Sequence, residues 1–234
     1  VDAGVRGESW RFPADGVGDG AAVTSNTPAH IWDIHPSPKG NALLWQDKRG
    51  KLFHLDTSTG RSTEIETSQS TSDLGFGEFS WSDDGRYAVY TFVDARDITQ
   101  VAMYDTQTRR RTVMTGGKYE SFSPALSPDG AWLYFLSNRN FQPFPGAPWG
   151  DRNMGPSFRG RTKLYALQLD PSADFPFKPA DEVSPKKDDA GKDEDKKKAD
   201  AQASVDLRGV QDRLWEVPVG AGDDFGLAVT SRHI

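Results

Sequence analysis

Cysteine is absent from the 234 residues, which excludes a disulfide framework and any thiolate metal site. Long apolar runs are missing too, since none approaches the ~18 to 20 residues that a membrane-spanning helix needs. The start, Val1-Asp2-Ala3-Gly4, has no basic-then-apolar signal pattern and no methionine, so a processed product or a piece of a longer chain is expected. Positive charge is scarce: 28 Lys and Arg stand against 34 Asp and Glu, for a net charge of −6. Without a basic field, nucleic acid is not an expected partner, and neither is a membrane. Histidine occurs only at His30, His35, His54 and His233, never in a zinc-ligand spacing. A Gly-x-Ser-x-Gly elbow and a phosphate loop are both lacking. No metal, no cofactor and no catalytic residue is therefore expected within this chain.

Helical periodicity is the last absence. Apolar positions fall in short blocks bounded by Gly, Pro and Asp instead of recurring at i, i+3, i+4 and i+7. What is present is 35% hydrophobic and 11% aromatic content, enough for a packed core. A turn also recurs, as Ser37-Pro38-Lys39-Gly40, Ser82-Asp83-Asp84-Gly85 and Ser127-Pro128-Asp129-Gly130, at a constant spacing of 45 residues. Pro presets φ, Ser and Asp cap the bend, and Gly accepts φ > 0, so each copy reads as a tight link between antiparallel strands. Asp83 and Asp129 are expected to hold equivalent turns.

The β-prone runs Ala42–Trp45, Tyr87–Phe92 and Trp132–Leu136 follow the turns, and shorter strands, Ile31–Ile34, Glu78–Trp81 and Pro124–Leu126, precede them. Third strands are expected at Lys51–Asp56, Val101–Asp105 and Lys163–Asp170, and polar fourth strands at Ser62–Glu66 and Arg111–Met114. A period of this size in strand-forming sequence points to an all-β fold, a β-propeller segment of about three four-stranded blades within a ring of six or seven. A two-sheet sandwich also has short strands and frequent turns, but the even repeat argues against it. The boundaries read as a lead-in over 1–27, blades over 28–68, 69–118 and 119–219, and the start of a next blade over 220–234. Trp32, Trp45, Trp81 and Trp132 are expected to pack between blades.

Two insertions break the third repeat. An ordered loop is expected over 138–161, too long for a hairpin connection and therefore a functional candidate. A charged flexible tether is expected over 171–203, with little to bury. Order resumes at Val205–Leu207 and Leu214–Val219, which would supply the delayed closing strand. Arg139, Arg152 and Arg159 are candidates for a peptide carboxylate, because the planar guanidinium fork fits that group. Trp149 is an interface candidate, as is Trp215. Ser37, Ser82 and Ser127 recur with the repeat and read as turn formers, not nucleophiles.

The tandem turns, the run Ser123–Asn138 continuing into Arg139-Asn140-Phe141, and the later Asp206-Leu207-Arg208-Gly209-Val210-Gln211-Asp212-Arg213 resemble the second propeller of tricorn-type serine peptidases. That resemblance covers about Pro28 to Val219. It implies large, homo-oligomeric, self-compartmentalising peptidases whose propellers filter or guide peptide substrates toward a serine nucleophile in another domain of the same chain. It also implies a cytoplasmic setting, with a periplasmic one as the alternative. The competing functions are a TolB-like protein-binding propeller without catalysis and the propeller of a prolyl-oligopeptidase relative, both of which share the turn.

Overall fold

The computed structural model describes residues 2–3, 7–25, 27–70, 75–142, 158–178 and 203–234. Two compact units divide the chain, Val1–Val113 and Met114–Ile234. The first opens with a small antiparallel sheet of β1 (Asp2–Ala3), β2 (Glu8–Arg11) and β3 (Ala21–Ala22). Two four-stranded antiparallel meanders follow. One is β4 (Ile31–Pro36), β5 (Ala42–Asp47), β6 (Lys51–Asp56) and β7 (Arg61–Thr67); the other is β8 (Phe76–Trp81), β9 (Tyr87–Val93), β10 (Thr99–Asp105) and β11 (Arg110–Val113). The second unit carries a third meander, β12 (Ser121–Leu126), β13 (Trp132–Asn138), β14 (Thr162–Gln168) and β15 (Leu214–Glu216). Among the described residues there is no α-helix.

The recurring turn works through its serine. The N–H groups of Ser37, Ser82 and Ser127 donate to the carbonyls of Ala42, Tyr87 and Trp132 at 2.9, 2.8 and 2.9 Å. Each serine Oγ in turn accepts the N–H of that same residue, at 3.1, 2.9 and 2.9 Å. Gly40, Gly85 and Gly130 take φ of 67, 71 and 72°, a region that strains other residues. The hydroxyl proton goes to Asn41 Oδ1 at 2.8 Å, Asp84 Oδ1 at 2.5 Å and Asp129 Oδ1 at 2.5 Å. Asp84, and not Asp83, is thus the counterpart of Asp129. Asp83 stands where Pro128 does, one residue too early to fold back on the serine.

Middle strands are apolar on both faces because both are covered. Leu44, Leu52, Phe76, Tyr90, Ala102 and Tyr104 form one cluster, contributed by the first two meanders and flanked by Phe79 and Trp81. On the other face of the first meander lie Ile31, Leu43, Trp45 and Leu55, with Trp45 stacked on Phe53 at 4.1 Å. In the second unit Trp132, Tyr134 and Leu136 share a face with Leu164, Ala166 and Val217, while Phe135 stacks on Tyr165 from the opposite face. Trp45 and Trp132 are core residues, as expected. Trp32 is not: it is 51% exposed, because a register shift between Ile31 and Asp33 interrupts the alternation that would have turned it inward.

Two stretches differ from expectation. Residues 171–178 are packed, not loose: Phe175 lies 5.5 Å from the Trp132 ring and 4.8 Å from Trp215, and Phe177 meets Tyr134 edge-on. These apolar contacts repay the ordering of a short stretch; 179–202 lie outside the described residues. Leu227–Thr230 pairs with no strand among the described residues, and Leu227 and Val229 pack on the Trp132 cluster instead. The closing strand comes from Leu214–Glu216, with Trp215 opposite Ala166, whereas Val205–Leu207 forms no strand.

Candidate functional site

The hairpins between the second and third strands of the first two meanders share one device. Asp47 Oδ1 accepts the N–H groups of Arg49 and Lys51 at 2.9 and 3.1 Å, and its Oδ2 receives the Arg49 guanidinium through Nε (3.0 Å) and Nη2 (2.8 Å). Asp94 repeats this with Arg96 N (2.8 Å), Ile98 N (3.1 Å), Arg96 Nε (3.2 Å) and Nη2 (2.6 Å). Each arginine therefore brings its own carboxylate. In the third meander the sixth residue of β13 is Ser137, where β5 has Asp47, and Arg139 follows it as Arg49 follows Asp47.

A serine hydroxyl can replace one hydrogen bond of a carboxylate but not its charge. Arg139 Nε donates to Ser137 Oγ at 2.9 Å, and the Ser137 hydroxyl donates to Glu120 O at 2.6 Å. Among the described residues no carboxylate pairs with Arg139. Its guanidinium lies instead over three aromatic rings, 4.7 Å from the centroid of Tyr165, 5.3 Å from Tyr119 and 5.7 Å from Phe135. Burial pushes its pKa down, with the phenols of Tyr165 and Tyr119 acting in the opposite direction; an arginine so placed stays charged at neutral pH.

Arg139 lines a cavity of about 250 Å³ together with Lys118, Tyr119, Phe135, Gln211 and Asp212. The two sequence segments singled out for the family resemblance meet here. One contributes Arg139; the other bends at Gly209, φ 59°, into a 3-10 turn over Val210–Asp212. The Arg213 carbonyl then accepts Gln168 N at 3.1 Å, and its guanidinium donates to the Asp206 carbonyl. Lys118 and Tyr119 carry no motif and went unremarked in the sequence; only the folding of their loop beside Arg139 reveals them.

The flanking asparagines build the neck of the long insertion. Asn138 Nδ2 donates to Glu120 Oε2 at 2.7 Å, and its Oδ1 accepts from Thr162 Oγ1 at 2.8 Å. Asn140 N and Nδ2 donate to the carbonyls of Arg161 (3.1 Å) and Gly160 (2.7 Å). Gly160, at φ 57°, donates its N–H to Asp223 Oδ1 at 3.0 Å. Arg159 lines a different hollow, of about 490 Å³, with Asn140 and Lys163. The structure thus sets Arg139 and Arg159 on separate cavities. Trp149 and Arg152 lie outside the described residues. Trp215 is 40% exposed and stacked on Phe175.

Among the described residues no group of three or more His, Asp and Glu is arranged to hold a metal ion, and no helix is long and apolar enough to cross a membrane. Repeated four-stranded antiparallel meanders, each with the same turn geometry between its first and second strands, define the chain as a β-propeller segment. It belongs to the family of the tricorn protease second beta propeller domain, whose sequence model matches residues 8–234. It is 20% identical over 212 residues to tricorn protease homolog 1 of Streptomyces coelicolor, covering 89% of this chain and 19% of that protein. Tricorn protease of Thermoplasma acidophilum is 28% identical over 146 residues, covering 59% of this chain and 13% of the relative. The crystal structure of the tricorn protease superposes with a TM-score of 0.71 at 20% identity, over 92% of this chain and 19% of that one. The chain therefore spans less than a fifth of the length of the relatives it matches.

Proposed function

We propose that this chain is the non-catalytic propeller part of a tricorn-like serine peptidase, gating or scaffolding the access of peptides to a catalytic domain outside it. The observation that carries this reading is the fate of the repeated serines. Ser37, Ser82 and Ser127 each spend their hydroxyl inside a turn, accepting one backbone N–H and donating to a neighbouring side chain, so none is a nucleophile beside a general base. Peptides as the material handled, a homo-oligomeric parent and a cytoplasmic setting are what likeness to tricorn-type peptidases implies. On this reading the insertion neck and the Arg139 cavity are surfaces that meet peptides or adjoining domains.

The test uses the longer protein in which this segment is embedded. Substitutions at the Arg139 cavity, such as Tyr119→Ala, should change kcat/KM for peptides of twenty residues and leave a dipeptide chromogenic substrate unaffected. The isolated chain should hydrolyse neither. Equal effects on both substrates, or turnover by the isolated chain, would overturn the reading.

A further inference from the structure

We propose that the Arg139 cavity is a carboxylate-binding subsite that takes the free C-terminus of a peptide; the inference deepens the peptide-handling role and rests on it. The first meander shows what an arginine at this place does when its acid is present: Arg49 closes on Asp47 through Nε and Nη2. In the third meander the acid is exchanged for Ser137, and the arginine is kept. Ser137 Oγ takes the Nε donor, so the pair of parallel donors that remains for an incoming carboxylate is the Nη1/Nη2 edge of the fork, which meets no carboxylate among the described residues.

The surroundings favour an incoming acid over an internal one. Tyr165, Tyr119 and Phe135 hold the guanidinium by their faces, which orients it without neutralising it. The charged groups lining the cavity are Lys118, Arg139 and Asp212, a surplus of one positive charge. Its volume of about 250 Å³ falls below the ~300 to 1,000 Å³ of whole small-molecule sites. That is room for one terminal residue with its carboxylate, the apolar side chain against the aromatic walls. Asp and Glu side chains offer the same chemistry and are separated from a terminus by the experiment.

Calorimetric titration of the full chain would compare three probes: an N-acetylated tetra-alanine as the free acid, the same peptide as its C-terminal amide, and an amidated peptide with one internal Glu. The free acid should bind at least tenfold more tightly than either amide. Arg139→Gln should abolish that preference, and Arg139→Lys, which keeps the charge but loses the fork, should weaken it. Ser137→Asp, which restores the arrangement of the first meander, should abolish it with Arg139 intact. An internal-Glu amide that matches the free acid would overturn the assignment to a chain terminus. Equal binding of acid and amide by the unaltered chain would overturn the subsite altogether, while leaving the peptide-length effect in the parent enzyme untouched.

Discussion

Replacing Ser127 by Ala removes one oxygen from a turn that repeats three times, and the structure fixes what is lost. The Trp132 N–H loses a side-chain acceptor at 2.9 Å, in a residue only 3% exposed, and Asp129 loses its 2.5 Å donor. A buried donor left unsatisfied costs about 1 to 3 kcal/mol, and the charge-assisted bond adds to that, so a loss of about 2 to 3 kcal/mol is expected. For a chain of this size the melting temperature should fall by about 4 to 12 °C. Ser127→Thr, which keeps the hydroxyl, should recover most of the loss. Thermal and urea melts followed by circular dichroism measure it, with an unchanged m-value showing that stability and not the unfolded state has moved. The second turn supplies an internal control: Asp84→Ala should destabilise, because Asp84 Oδ1 takes both Ser82 Oγ and Arg86 N, whereas Asp83→Ala should not. A Ser127→Ala protein melting within about 1 °C of the parent would refute the argument that these serines are structural.

Phe175→Ala should cost about 1 to 3 kcal/mol by opening the stack on Trp132 and Trp215, with a red shift in tryptophan fluorescence as both rings gain water. His54 is 6% exposed; desolvation lowers its pKa from 6.5, outweighing the nearby Asp56. The unfolded chain therefore takes up that proton first. Stability should be complete above the ordinary histidine value and decline as pH falls through it, by at most about 1.4 kcal/mol per pH unit; chemical melts of His54→Gln should lack that part of the slope. Gly160→Ala places a Cβ 3.4 Å from the Ala221 carbonyl oxygen at φ +57°, and should lower stability by about 1 to 2 kcal/mol.

The features legible in the sequence are those whose chemistry is local. Ser, Gly and the strands beside them sit within six residues of one another, so each copy of the turn announces itself. Asp83 and Asp84 defeated the reading because adjacent acids look interchangeable until the hydroxyl picks the one that folds back. Trp32 was misplaced because a bulge changes which face a side chain takes, and composition carries no trace of a bulge. Phe175 and Phe177 were lost in the average of a charged stretch. Arg139 was visible as an arginine, yet its meaning depends on Ser137 standing where Asp47 stands, a substitution apparent only once the hairpins are superposed strand by strand.

The neck at Asn138, Asn140, Gly160 and Asp223 insulates the sheet from whatever hangs beyond it. Its hydrogen bonds fix the two chain ends a short distance apart, so the base of the insertion is closed by described residues on the β13 and β14 sides. Doubling the length of sequence carried there adds only about 0.6 kcal/mol of closure entropy. The position is a natural splice point, where a reporter or a foreign recognition loop can be grafted without re-engineering the propeller beneath.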